Sequence, residues 1–461
     1  MLNRAKDILL NRNTKLPSGV GKGLLALNRN PRIVFGGPYN RYCRFLNKHR
    51  MFFDNRSQLI KSVHFAIESI PFYRKRYSGL RIESVEEFEE KIGFIDKDIV
   101  LKNYSDFMNP SISMDDYDTG TTGGTSGKPL TFIAPKKRYV VELATMHFLW
   151  ERAGYHFNTR AVIRNHRLPK KRHYLINPLT REVIFDGFRL THEHFESILS
   201  VMQKMGIRFI HCYPSTAYEF ALYLRKNNTR PRIEAFLSGS ENVFDYQRDL
   251  IEGELGIRFY NWYGHSEKLV LAGYCEGTNH YHAEPTYGYF ELIDKNGNVV
   301  REPGKTGEIV GTSFHNPGMP FIRYRTDDFA EYVGDKCTTC GRRLPVFKNV
   351  RGRWSGDRIY NADGTFVTTT ALNLHNKLYQ VINGIQYLQR CKGELTILIV
   401  KSDYYTEEHE KALYAHFLAR LNGHTSVRIR YTDRLERLPN GKFVHLISQV
   451  NSRSTLSEDS I

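Results

Sequence analysis

Nowhere in the 461 residues do eighteen apolar residues follow one another, so the sequence offers no segment that would cross a bilayer as a helix. Cysteine is scarce. The six, Cys43, Cys212, Cys275, Cys337, Cys340 and Cys391, are too few and too scattered for a disulfide framework. The N-terminal text MLNRAKDILLNRNTKL lacks the apolar core and small-residue cleavage site of a secretory signal, so export is not expected and a cytoplasmic location is. Negative charge is short as well: 66 Lys and Arg stand against 49 Asp and Glu, a formal +17. That excess is concentrated, with eleven Lys/Arg and one Asp in residues 1–50. No RNP, zinc-finger or helix-turn-helix signature accompanies it, so nucleic acid is not the expected partner. Such an arm suits peripheral contact with an anionic membrane surface or a lipid-linked substrate, and equally a plain solvated extension.

What is present begins with TTGGTSGKPL, residues 121–130, whose three glycines, four hydroxyls and one lysine have the composition of a loop that cradles phosphate. It is not a P-loop. Thr122 stands where the first glycine belongs and Pro129 where the metal-binding hydroxyl belongs, and Pro129 keeps Lys128 out of helical backbone space. A Ser/Thr/Gly loop leading into a strand from Leu130 to Ile133 is expected, with Lys128 as a point charge; an ordinary flexible turn fits the same text.

Apolar residues at Ile60, Val63, Ile67 and Ile70 mark a helix that Pro71 ends, and a second helix is expected from about Lys137 to Arg152. Strand-like runs at 207–210, 233–237 and 257–260 alternate with helical stretches at 216–226 and 245–255, the pattern of a parallel sheet. Ligands in such sheets sit beyond the carboxyl ends of the strands. Those ends read HCYPS (211–215), SGSEN (238–242) and NWYGHSE (261–267), and one crevice lined by all three is the simplest account. From 287 to 333 the text turns β-rich, as for a small sheet or distorted barrel, and after Arg353 a compact α+β segment follows, with strands at 394–400 and 426–431 around a helix at 406–421.

Taken together, these motifs resemble the adenylate-forming superfamily of acyl-CoA synthetases, with the likeness strongest to phenylacetate-CoA ligase and the capsular-polysaccharide-biosynthesis ligases. It runs from IPFYRKRY (70–77) to PNGKF (439–443). The resemblance implies an α/β fold: a large N-terminal α/β domain with a parallel sheet and a small β subdomain, plus a small mobile α+β C-terminal domain. The expected boundaries are a basic arm at 1–55, an adenylation domain at 56–351 with a zinc-bearing portion at 275–345, a C-terminal domain at 352–450 and a disordered tail at 451–461. The implied activity is ATP-dependent conversion of a carboxylic acid to acyl-AMP and pyrophosphate, then acyl transfer to an acceptor.

By the same resemblance Thr122, Gly124, Thr125, Ser126, Gly127 and Lys128 shield the β- and γ-phosphates of ATP. Tyr263, Gly264, Ser266 and Glu267 match a Tyr-Gly-x-Thr-Glu motif, with Glu267 holding Mg²⁺. Asp328, within Tyr324-Arg325-Thr326-Asp327-Asp328, grips the ribose, although Asp327 replaces the family's glycine. Ser240 and Glu241 border adenine, Arg353 approaches the nucleotide, and Lys442 reaches the reacting carboxylate and α-phosphate. His211, Tyr213 and Pro214 lie where relatives shape the acid pocket, whose polar and aromatic lining suits a small polar or aromatic acid.

Cys337-Thr338-Thr339-Cys340 has the spacing of a zinc knuckle, and Cys275 with His282, or His280 in its place, completes a structural Zn²⁺ set like one in phenylacetate-CoA-ligase-like proteins. The text at 352–375 departs from the CoA-forming branch, leaving CoA, an amine or an amino sugar of surface-polysaccharide assembly as acceptor, and Ser355, Gly356 or Asp357 as hinge. Two further readings stand beside this one: a catalytically silent relative that binds nucleotide or acyl groups, and a nucleic-acid binder acting through the arm.

Overall fold

The computed structural model describes residues 23, 25, 30–122, 130–169, 172–352, 357–372, 374, 378, 381–421, 423–436 and 445–450. Its frame is a twelve-stranded mixed sheet among those residues. At its centre strands Glu182–Phe185, Arg160–Ile163, Phe209–Cys212, Ala235–Gly239 and Arg258–Gly264 run parallel. Their side chains are buried on both faces, as a parallel sheet covered on two sides requires. Ile210, Phe236 and Phe259 pack under helices His192–Met205 and Pro214–Lys226. Phe209, Leu237 and Tyr260 face the opposite core with Trp150 and the apolar stripe of helix Arg56–Ser69.

These strands and helices lie where the sequence periodicity puts them, with the strands shifted toward their carboxyl ends by about two residues. The helix His192–Met205 starts on a Thr191 cap and stops at Gly206, whose φ of 63° only glycine adopts readily. Beyond strand Arg258–Gly264 the sheet turns antiparallel through Leu271–Tyr274, Tyr281–Ala283, Arg343–Arg351, Tyr324–Lys336, Thr306–Ser313 and Gly288–Ile293. The β-rich run is therefore the antiparallel wing of the main sheet rather than a separate small sheet or barrel.

The basic arm is also partly built in. Helix Pro31–Lys48, capped by Asn30, buries Phe35, Tyr39 and Leu46 against Val140, Ala144 and Phe148 of helix Arg138–Trp150. A solvated extension would leave those side chains in water; here roughly 1.5–3 kcal/mol per buried side chain ties them to the domain. The C-terminal segment forms a four-stranded sheet in the order Ser426–Tyr431, Glu394–Lys401, Ile382–Gln389 and Leu446–Ser448. Helix Glu407–Leu421 packs on it through Leu413, Phe417 and Leu421. It meets the larger part through Arg358 and Glu219 at 3.0 Å and through Arg167, which bonds the carbonyls of Ala419 and Arg420 at the end of that helix. Among the described residues no helix is long and apolar enough to cross a membrane.

Gly288 shows how closely the wing approaches the crevice loops. A Cβ there would lie 1.9 Å from the carbonyl oxygen of Leu269, a clash with backbone that no rotamer relieves. Gly288→Ala is expected to destabilise the fold by at least about 3 kcal/mol, whereas Gly253→Ala, in helix with open space around it, gains roughly 0.5–1 kcal/mol. Melting temperatures of the two variants moving in the same direction would contradict this packing.

Candidate active site

The carboxyl ends of four adjacent parallel strands supply Arg164, the loop 211–215, the loop 239–242 and the segment 263–267. Close approach shapes this edge. Gly239 pairs with Trp262, and a Cβ on Gly239 would stand 2.6 Å from the indole ring, so only glycine lets the ring lie across the strand. Ser240 follows at φ 72°, a left-handed turn that sends the chain back over the sheet. Glu241 Oε2 then accepts the Ser215 amide at 3.1 Å, tying two of the loops together. Burial pushes the Glu241 carboxyl up, an effect countered in part by its bonds from Ser215. Asn242 pins the third partner: its Oδ1 accepts the Gly352 amide at 2.8 Å and its Nδ2 donates to the Gly352 carbonyl at 3.3 Å.

Two buried carboxylates face this edge, each held by a tyrosine from the opposite segment. Tyr263 Oη donates to Asp328 Oδ2 at 2.9 Å, and Tyr324 Oη donates to Glu267 Oε1 at 3.0 Å. Glu267 Oε2 also meets His265 Nδ1 at 3.1 Å. Tyr324, Thr326 and Asp328 alternate on the buried face of one strand, so the crossed pairs bring Glu267 and Asp328 together at this edge. Gly352 adjoins it, since a Cβ there would lie 3.4 Å from Asp328 Oδ1.

Asp327, the departure from the family's glycine, sits at φ 60°. The backbone thus keeps the left-handed conformation that glycine favours, and Asp is among the residues that tolerate it. Its amide donates to Glu308 Oε1 at 3.0 Å, while Glu308 pairs with Arg325. Thr326 Oγ1 donates to the Ile309 carbonyl at 2.7 Å and accepts the Asp328 amide at 3.2 Å, which aims the acid inward.

On the other side of the crevice lies a group that motif reading overlooks. Arg164 Nη1 bonds His211 Nε2 at 2.8 Å, its Nη2 donates to Ser240 Oγ at 3.0 Å, and the guanidinium lies 4.3 Å over the Tyr213 ring. Burial and then the Arg164 charge push the His211 imidazole well below its ordinary range, so the ring is neutral. The apolar run Ala161-Val162-Ile163 ahead of Arg164 reads as a strand and would have placed it at a carboxyl end. Tyr213 packs in a cluster with Phe188 and the C-terminal segment, and Pro214 opens the helix Pro214–Lys226.

Thr122 closes a hairpin of strands Tyr117–Thr121 and Thr131–Pro135: its amide donates to the Leu130 carbonyl at 2.8 Å and its Oγ1 accepts the Leu130 amide at 2.9 Å. Thr122 and Leu130 are thereby held side by side. Gly124, Thr125, Ser126, Gly127, Lys128, Arg353, Ser355, Gly356, Lys442 and the 451–461 tail lie outside the described residues. Ser266 and Gly264 flank His265 at the end of the 258–264 strand; a Cβ on Gly264 would press on Leu271 at 3.0 Å.

In the wing, Cys275, His282, Cys337 and Cys340 bring their ligand atoms within 4.8 Å of one another. The thiols of Cys275 and Cys337 stand 3.8 Å apart, and both ring nitrogens of His282 are buried without a hydrogen-bond partner among the described residues. Orphaned imidazole nitrogens among three thiols are a donor set that suits tetrahedral zinc. His280 lies outside this set, its carbonyl accepting the Cys275 amide at 2.9 Å.

Solved structures share this architecture. Two crystal structures of 2-hydroxyisobutyryl-CoA ligase superpose along most of the chain. An open form with 2-HIB-AMP and CoA gives a TM-score of 0.53 at 16% identity, covering 85% of this chain and 90% of that one. The thioesterification-state form gives 0.56 at 15%, covering 86% and 89%. The fold is that of 2-hydroxyisobutyryl-CoA ligase. A mitochondrial acyl-coenzyme A synthetase of Rattus norvegicus is 28% identical over 122 residues, which span 25% of this chain and only a fifth of that protein's length. No family model matches the sequence. Within this fold, the tyrosine and acid pairs lie at the carboxyl ends of the strands, where α/β sheets bind ligands.

The left-handed turn at 327 sets a local test. Asp327→Gly is expected to stay within about 1 kcal/mol of the native stability, while Asp327→Val, β-branched at positive φ, costs about 2 kcal/mol. Equal melting temperatures for Asp327→Val and the native chain would remove the conformational argument.

Proposed function

We propose that the protein is an ATP-dependent ligase that joins a carboxylic acid to AMP, releasing pyrophosphate, and then passes the acyl group to an acceptor. The observation that carries this reading is the crossed pairing of Tyr263 with Asp328 and Tyr324 with Glu267 at the edge of an adenylate-forming fold. In this reading the carboxylate of Asp328 takes the ribose hydroxyls. Ser240 and Glu241 border the adenine, and Glu267 is the oxygen ligand for Mg²⁺, which would neutralise phosphate charge. An acid oxygen attacks the α-phosphorus, the bond to the β-phosphate oxygen breaks, and pyrophosphate leaves. No protein nucleophile is consumed. Two anions must approach each other, so the chain's work is to position them and offset their charge, the part assigned to Lys442 and Lys128.

The acceptor is a CoA thiol or an amine, including an amino sugar in surface-polysaccharide assembly, a branch supported by the text at 352–375. Cys275, His282, Cys337 and Cys340 would hold a structural Zn²⁺ that braces the wing without entering the reaction.

Acid-dependent exchange of pyrophosphate into ATP tests the reading, screened over phenylacetate, benzoates, amino acids, short aliphatic acids and uronic acids. Asp328→Ala and Lys442→Ala are each expected to lower the exchange rate about 100-fold or more. Nucleotide-dependent thermal stabilisation with no exchange for any acid would replace the ligase with a binding module. Elemental analysis addresses the metal separately: about one zinc per chain is expected, lost in a Cys337→Ser, Cys340→Ser double variant with a lower melting temperature. Metal-free native protein with unaltered stability would discard the zinc assignment.

A further inference from the structure

Among the described residues of this edge, Arg164 is a cation that no carboxylate answers. Neighbouring arginines have acidic partners: Arg160 pairs with Glu182 at 2.5 Å and Arg167 with Asp186 at 3.4 Å. Arg164 has no ion pair among the described residues, and its polar contacts are the neutral His211 ring and the Ser240 hydroxyl. Because a guanidinium has no lone pair to offer, His211 Nε2 must be the acceptor and Nδ1 must carry the hydrogen. That Nδ1 is buried with no partner among the described residues. A partly desolvated guanidinium with no counter-charge is unfavourable until an anion joins it.

The backbone holds Arg164 in place. The turn at Gly187 packs so tightly on it that a Cβ there would fall 1.5 Å from the Arg164 carbonyl oxygen, and the Gly187 amide donates to the His166 carbonyl at 3.0 Å. The position is remote from the tyrosine and acid pairs. Strand 160–163 is separated from strand 258–264 by strands 209–212 and 235–239, about 14 Å at the usual interstrand spacing. The Arg164 side chain leans only as far as Ser240, which follows strand 235–239. Aromatic rings crowd this part of the sheet: Trp150 stands edge-on to His211 with centroids 5.1 Å apart, and Trp262 lies across Gly239.

Resting on the ligase reading above, we propose that the acid activated here is short and carries a second anionic oxygen group, carboxylate or phosphoryl, remote from the carboxylate that reacts. Arg164 binds that second group, and His211 positions the guanidinium. A bidentate guanidinium contact in a partly dry site is worth more than a neutral one, and it discriminates against acids whose far end is a methyl.

The test compares matched acids on the full-length protein: succinate and glutarate against butyrate and valerate, with 3-phosphonopropionate as the phosphoryl arm. Pyrophosphate exchange and calorimetric acid binding are both read. The doubly anionic acids are expected to exceed their methyl-ended partners on the order of 10- to 100-fold in kcat/KM, chiefly through KM. Arg164→Gln should erase that preference and Arg164→Lys should retain part of it, in variants whose melting curves remain cooperative. The better of succinate and 3-phosphonopropionate identifies the second group. Methyl-ended acids serving as well as doubly anionic ones, or an unchanged ratio in Arg164→Gln, would overturn the inference while leaving the ligase standing. If no acid supports exchange, the ligase reading falls, and calorimetry decides the site: Arg164-dependent binding of a doubly anionic acid upholds it, and equal binding to Arg164→Gln ends it.

Discussion

Two carboxylates are buried where the parallel part of the sheet gives way to the antiparallel part, and the rest of the crevice is arranged around keeping them there. Glu267 and Asp328 are 4% and 6% exposed. An isolated buried carboxylate would take up a proton or draw in water, because the cost of desolvating it exceeds the few kcal/mol that a domain has to spare. A phenol is an apt partner. It donates one strong hydrogen bond, brings no opposing charge, and leaves lone pairs on the carboxylate able to receive a metal ion or a sugar hydroxyl. An arginine in the same place would neutralise the acid and occupy both oxygens. The tyrosines Tyr263 and Tyr324 therefore hold the acids in position without adding an opposing charge of their own.

The change of strand direction explains why these groups meet. Parallel strands 160–163, 209–212, 235–239 and 258–264 all deliver their carboxyl ends to one edge, but a strand entering antiparallel at 271–274 reverses the chain there. The segment 263–267 thus lies between a parallel neighbour that supplies Ser240 to Asn242 and a wing that supplies Tyr324 to Asp328. Small residues let the layers close at this boundary. Gly239 under Trp262 and Gly288 under the Leu269 carbonyl are places where one added carbon would force a strand away.

Much of this could be read in the sequence because it is local. The alternation of strand and helix from 207 to 260 shows in apolar spacing, and the loops HCYPS, SGSEN and NWYGHSE announce themselves by small and hydroxyl residues. The Cys-x-x-Cys pair is likewise a local signal, and its meeting with Cys275 and His282 follows once strands 271–274 and 281–283 are adjacent. What escaped the sequence depends on contacts far apart in the chain. Whether 287–333 was a separate sheet or a wing turned on pairing between strands 281–283 and 343–351, which no local pattern encodes. The arm's helix was hidden because its burial comes from Val140 and Phe148, far along the chain. Arg164 lies outside every motif and gains meaning only from His211, on the adjacent strand, and Ser240, just past the strand beyond it.

The cysteine cluster bears on the acids through the same wing. Strand 324–336 carries Tyr324 and Asp328 and runs directly into Cys337, while Cys275 follows the strand 271–274 that pairs with 258–264 and His282 lies on the next strand out. A metal shared by these four side chains would tie both ends of the boundary at which Glu267 and Asp328 meet. Its contribution would be geometric, since a strand free to shift at one end changes the aim of side chains along its length. The left-handed turn at Asp327 divides that strand between the two tasks: residues before it bond Glu267 and the Ile309 carbonyl, and residues after it continue to the cluster. The same backbone break that turns Asp328 toward the crevice therefore also sets the direction in which the strand reaches Cys337.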